Sequence, residues 1–128
     1  MLLLDTDVLI DVFRGLPASR VWLESESADN FVIPGIVAME LLVGCRNQVE
    51  QARVQKFLAA YPLLWPDATD FARAYGLLSA HRLSNGVGIP DCIIAALAIG
   101  HHAPLCTFNR KHFQAFAGLD LREPYPRV

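Results

Sequence analysis

The chain has little of what usually announces a function. It holds two lysines and nine arginines against thirteen acidic residues, a net charge of −2. No basic stripe therefore points to nucleic acid. A bound divalent cation would reverse the sign of an acidic pocket, and arginine is the better phosphate clamp, so nucleic acid is not excluded either. Cysteine is scarce: Cys45, Cys92 and Cys106 are odd in number, widely spaced and set among apolar neighbours. That pattern excludes a disulfide framework and a zinc site of Cys or Cys/His spacing, and reads as small core residues in a reduced compartment. No apolar run is long enough for a membrane span, and the short apolar start lacks the basic flank of a leader, so a cytoplasmic protein is expected. Repeats, low-complexity tracts and linkers are absent, which predicts a single domain over 1–128.

What is abundant is apolar material, 53% of the chain. Either the core is large or a further face is covered, as in a homodimer, and composition leaves both readings open. Strand-like and helix-like pieces alternate, predicting an α/β sheet with helices on both faces. Expected strands are 2–5, 31–33, 63–65 and 105–107, with 119–122 as an added edge. Expected helices run over 7–14, 19–26, 36–44, 48–61, 67–83 and 92–99. In the long one, Asp67 serves as cap and Phe71, Ala74, Leu77 and Leu78 form the inner stripe.

Three acids stand where apolar residues are expected. Asp5 ends the run Met1-Leu2-Leu3-Leu4, at the carboxyl end of a strand, where open α/β sheets place their ligands. Glu40 is the only charge in Ile36–Gly44, and Asp91 opens the apolar run Cys92–Ile99. Each has a structural explanation: Asp5 and Asp91 as helix caps, Glu40 as a partner of an arginine such as Arg46 or as the one wet side of its helix. Taken together they suggest one cluster. Carboxylates about 4 Å apart repel by about 4 kcal/mol at an effective dielectric of 20, so the cluster needs protons or a cation. All-oxygen ligation favours Mg²⁺ or Mn²⁺. After the run 105–107, Thr107 and Asn109 again stand past a strand end, and Arg110 and Lys111 beside them suit a phosphate backbone or a solvated loop.

The motifs resemble the PIN-domain ribonucleases, and within them the VapC-type toxins of toxin–antitoxin pairs. They are Leu3-Leu4-Asp5-Thr6-Asp7-Val8-Leu9-Ile10; Ile33-Pro34 with Met39-Glu40-Leu41-Leu42 and Gly44; Ile89-Pro90-Asp91-Cys92-Ile93-Ile94-Ala95-Ala96; and Leu105-Cys106-Thr107-Phe108-Asn109. The resemblance implies a three-layer α/β/α sandwich around a mostly parallel sheet of four to five strands, and an acidic quartet holding Mg²⁺ or Mn²⁺. It further implies RNA cleavage, dimerisation and inhibition by a cognate antitoxin. Asp5, Glu40 and Asp91 match the metal-site acids, and Thr6 and Thr107 match hydroxyl positions that line the site. The fourth acidic position falls on Asn109, an amide, while Asp7 stands where the family more often has a neutral residue. Asp7 either restores the missing charge or caps a helix. Arg14, Arg46, Arg110 and Lys111 are the expected RNA contacts.

Three other readings stay open at this point. One is a metal-independent ribonuclease using His81, His101, His102 or His112 as acid and base. Another is an Asp-x-Asp phosphatase with Asp5 as nucleophile, Asp7 as acid, and Lys56 or Lys111 over the phosphate. The last is a catalytically silent subunit that only binds RNA or antitoxin.

Overall fold

The computed structural model describes residues 1–127. Their elements follow in the order β1 (Leu2–Leu4), α1 (Thr6–Phe13), α2 (Pro17–Ser25), a 3₁₀ turn (Ala28–Asn30), β2 (Phe31–Pro34), α3 (Gly35–Val43) and α4 (Gln48–Leu58). Then come β3 (Leu63–Leu64), α5 (Ala68–Asn85), α6 (Ile89–Gly100), β4 (Leu105–Cys106), α7 (Arg110–Phe113) and β5 (Leu121–Arg122). The strands form one sheet, ordered β3-β2-β1-β4-β5, in which every pairing is parallel. Helices cover the sheet to give the expected three layers.

Parallel strands are buried on both faces, so they read as unbroken apolar runs. Leu3, Leu4, Phe31, Ile33 and Leu105 all have no exposed surface. Helix α6 is apolar all round for the same reason: every residue from Cys92 to Ala98 is buried, and it packs against α5, α3 and α7. The three cysteines are free, Cys92 and Cys106 buried, and burial pushes the Cys106 thiol up to about 11. No helix among the described residues is long and apolar enough to cross a membrane.

Several boundaries differ from the sequence reading. Strand β1 stops at Leu4, and Asp5 is the N-cap of a helix that begins at Thr6 rather than at Asp7. Helix α6 begins at Ile89 with Gly88 as cap, because Pro90 is tolerated in a first turn whose amides have no partner; Asp91 is therefore the third residue of the helix. Helix α4 ends at Leu58, and α5 continues to Asn85, where Gly86 takes a left-handed conformation, φ 68°. Phe71 lies on the outer face of α5, 52% exposed, and not in the inner stripe with buried Ala74. A short helix, α7, occupies 110–113, where a loop was expected.

The order of the strands positions the site. From β1 the chain moves outward through β2 and β3, then crosses back to place β4 on the other side of β1. The carboxyl ends of β1 and β4 thus flank the point where the winding reverses, which is where open α/β sheets bind ligands.

Candidate active site

Asp5 leaves β1 at that point with its backbone extended, and its Oδ1 accepts the amide of Thr6 at 2.8 Å. Capping uses one carboxylate oxygen only. The other, Oδ2, accepts from the hydroxyl of Thr107, just past β4, at 2.7 Å. The Thr107 hydroxyl in turn accepts the Asn109 amide at 3.0 Å. Glu40 projects from α3, and its Oε1 accepts from the Thr6 hydroxyl at 3.1 Å. Asp91 Oδ2 accepts the Gly88 amide at 3.3 Å and lies 3.2 Å from His112 Nδ1. Asn109 Nδ2 is 3.0 Å from that same ring nitrogen. The cap anticipated for Asp5 is real and coexists with the cluster, whereas Asp91 is the third residue of its helix and reaches back to the amide of the cap, Gly88. The pairing anticipated between Glu40 and Arg46 is not formed: Arg46 binds Glu50 instead, at 2.8 Å.

Asp5, Thr6, Asp7, Glu40, Asp91 and Asn109 line one cavity of about 230 Å³, closed by Ile10 and Ile94. Asp5 is 7% exposed, and its carboxyl is pushed up to about 7 by burial, by the charge of Asp7 and, to a smaller degree, by that of Glu40. Burial likewise raises Glu40 and Asp7 above the ordinary carboxylate range. Asp7 Oδ2 accepts the Phe108 amide at 3.0 Å, whereas its Oδ1 is buried without a hydrogen-bond partner. A buried unpartnered oxygen is costly, and calls for a proton, a water or a cation.

Among the described residues no three His, Cys, Asp or Glu side chains stand close enough to hold an ion by themselves. The donor set nevertheless fits a hard divalent cation. The donors are oxygens, the pocket is acidic, and Mg²⁺ keeps several of its waters, which bridge wider separations than direct ligation allows.

A second groove, of about 540 Å³, adjoins this cavity and shares Ile10 and Glu40 with it. Arg14, Arg46 and Arg53 line it. The first two were anticipated. Arg53 was missed, although its position three residues after Glu50 on the same helix was a readable signal. Arg110 and Lys111 are exposed on α7 and line neither space.

The histidines are not brought together. His101 and His102 line a different cavity with Met1 and Leu2, at the opposite end of β1, and His81 meets the Phe116 ring edge-on. His112 alone touches the acidic cluster. Lys56 and Lys111 are likewise absent from the cavity lining, which deprives the phosphatase reading of its phosphate-holding cation.

A PIN-domain family model matches residues 2–119. The chain belongs to the PIN-domain family. Among PIN relatives, it is 37% identical over 130 residues to ribonuclease VapC19 of Mycobacterium tuberculosis, covering 98% of this chain and 100% of that one. With ribonuclease VapC10 of the same organism it shares 33% identity over 120 residues, 93% of this chain and 90% of the other. Among solved structures, a toxin–antitoxin complex from Klebsiella pneumoniae contains a chain with TM-score 0.79 and 29% identity, 98% of each chain being covered. A VapBC2 complex from Rickettsia felis, bound to a promoter DNA fragment, gives TM-score 0.79 and 26% identity over 94% of this chain and 96% of that one. This PIN domain is therefore of the VapC type.

Proposed function

We propose that this PIN domain is an endoribonuclease dependent on Mg²⁺ or Mn²⁺, acting as the toxin of a toxin–antitoxin pair in the cytoplasm. One observation carries the reading: Asp5, Glu40, Asp91 and Asn109, distant in sequence, meet in one small cavity at the switch point of the sheet. The names of the VapC relatives support RNA as substrate, and the complexes among the solved structures support an antitoxin as partner.

Asp5, Glu40 and Asp91 would hold the cation, directly or through water, with the Asn109 carbonyl as a neutral donor. When bound, the cation supplies a water of lowered pKa and neutralises charge developing on the scissile phosphate. The remaining work falls to the chain. Thr107 and the Thr6 amide fix Asp5, and the Thr6 hydroxyl fixes Glu40, so neither carboxylate must be reoriented during reaction. One of the three carboxylates takes the proton of the attacking water. In-line attack by water leaves 5′-phosphate and 3′-hydroxyl ends. Arg14, Arg46 and Arg53 hold the RNA backbone along the adjoining groove, and Arg110 and Lys111 contact it from the Asn109 side.

The antitoxin would inhibit by presenting an arginine, which pairs bidentately with the carboxylates and displaces the cation. Unchanged Mn²⁺ affinity in the complex would argue against that mode. A second copy of the chain is proposed to cover the apolar face made by Phe71, Tyr75 and Ile89, which are 52%, 77% and 62% exposed.

Cleavage of end-labelled total RNA tests the function, with Mg²⁺ or Mn²⁺ against EDTA and beside Asp5→Asn. Discrete cation-dependent products, absent from the variant, are expected. Cleavage that survives both EDTA and the substitution overturns the reading. RNA binding without cleavage makes the protein a silent binding subunit instead.

A further inference from the structure

We infer that the segment following β5 is a clamp, in which Arg127 and Tyr125 act as positioning residues that hold loop 107–109 in the acidic site. The inference rests on reading that cavity as the reaction site.

Three successive residues of the loop reach into the cluster. Thr107 donates to Asp5, the Phe108 amide donates to Asp7, and the Asn109 amide donates back to the Thr107 hydroxyl. The middle residue has the only large side chain of the three, and its ring is held from outside. The Arg127 guanidinium lies 4.4 Å from the centre of the Phe108 ring, and the Tyr125 ring meets the same ring edge-on at 5.0 Å. Both clamp residues are anchored on one buried acid of α1. Asp11, 6% exposed, accepts two bonds from the Arg127 fork at 2.8 and 3.1 Å and one from the Tyr125 hydroxyl at 2.8 Å.

A carboxylate at such a depth is tolerated only with donors of this quality. Burial would raise its pKa, yet the Arg127 and Tyr125 bonds bring it below the ordinary range. Asp11 sits one helical turn beyond Asp7 on α1. The clamp therefore ties the helix that carries Asp7 to the loop whose amide binds Asp7.

The test compares the wild type with Arg127→Ala, Arg127→Lys and Phe108→Leu, and with the Arg127→Ala/Phe108→Leu double variant. Each is examined by Mn²⁺ titration, steady-state RNA cleavage and amide NMR. Arg127→Ala and Phe108→Leu should each lower kcat about tenfold with KM within twofold, weaken Mn²⁺ binding several-fold, and move the Phe108 and Asn109 amide resonances. The double variant should lose no more than the worse single one. Arg127→Lys should not restore function, because an ammonium neither forks nor stacks; full rescue by lysine would overturn the clamp in favour of charge alone. Folded variants within twofold of wild type in every readout, or fully additive losses, would overturn it too. Should Arg127→Ala fail to fold, Phe108→Leu carries the test, since it leaves the Asp11 pair intact. A wild type that neither binds Mn²⁺ nor cleaves removes the reading of the cavity itself. An active wild type beside unaffected variants removes only the clamp.

Discussion

Replacing Asp5 by Asn should make the cation-free protein more stable while abolishing its activity. In the fold the Asp5 carboxyl is pushed up to about 7 from an ordinary 3.8, first by burial and then by the Asp7 charge. The folded protein therefore binds a proton there that the unfolded chain releases once the pH passes about 4. Stability from this group is full below that point, is lost as the pH rises towards about 7, and stays low above it. At pH 8 the ionised, 7% exposed side chain costs the fold about 4 kcal/mol. Asparagine removes that cost, and its one carbonyl keeps the Thr6 amide and the helix cap while its amide nitrogen, which cannot accept, faces the Thr107 hydroxyl. After a discount for the acceptor it loses, about 3 kcal/mol of stabilisation is expected, or about 10 °C in Tm for a domain of this size. Thermal melts in EDTA would read it: a large gain for Asp5→Asn at pH 8 and a clearly smaller one at pH 5, where only about a third of the cost has developed. Added Mg²⁺ should raise the wild-type Tm at pH 8 and leave the variant unmoved. A variant that melts at or below wild type in EDTA at pH 8 would refute the electrostatic reasoning.

Other substitutions probe other parts of the account. Asn109→Asp adds a fifth acid to the cavity lining, beside Asp5, Asp7, Glu40 and Asp91, and should tighten Mn²⁺ binding about tenfold in calorimetry, while lowering the cation-free Tm at pH 8. At Gly35 a side chain would run into the ring of Trp65, so Gly35→Ala should cost about 1–3 kcal/mol in chemical denaturation and reduce activity by shifting the helix that carries Glu40. Tyr75→Glu places a charge in the exposed apolar face and should convert a dimer to a monomer in light scattering, with the monomer's melting curve near that of wild type.

The sheet and the acids were legible because both break a local expectation. A parallel strand must be apolar on both faces, so Leu3 and Leu4 declare β1, and the abrupt Asp5 declares where it ends. Glu40 stood out because nothing else in α3 is charged. Less legible were features that depend on partners far along the chain. Arg46 had two acids in reach, Glu40 six residues before it and Glu50 one helical turn after it; geometry alone chose Glu50. Phe71 keeps helical spacing with Ala74 and yet faces outward, since periodicity gives a stripe without saying which side the sheet covers. His112 reads as an ordinary loop residue until α7 folds it against Asp91. The segment Glu123-Pro124-Tyr125-Pro126-Arg127 has no periodicity at all. Its contacts with Asp11 span more than a hundred residues, and no local pattern encodes such a pairing.

The central claim is that a cation held by Asp5, Glu40 and Asp91 is required for RNA cleavage. The most direct measurement sets two curves from one preparation side by side: Mn²⁺ occupancy, read from the resonance of free Mn²⁺, and the single-turnover cleavage rate over the same concentrations. The rate should rise in step with occupancy, and both should be lost in Asp5→Asn. Cleavage that is complete before the site fills, or that persists in EDTA, would contradict it.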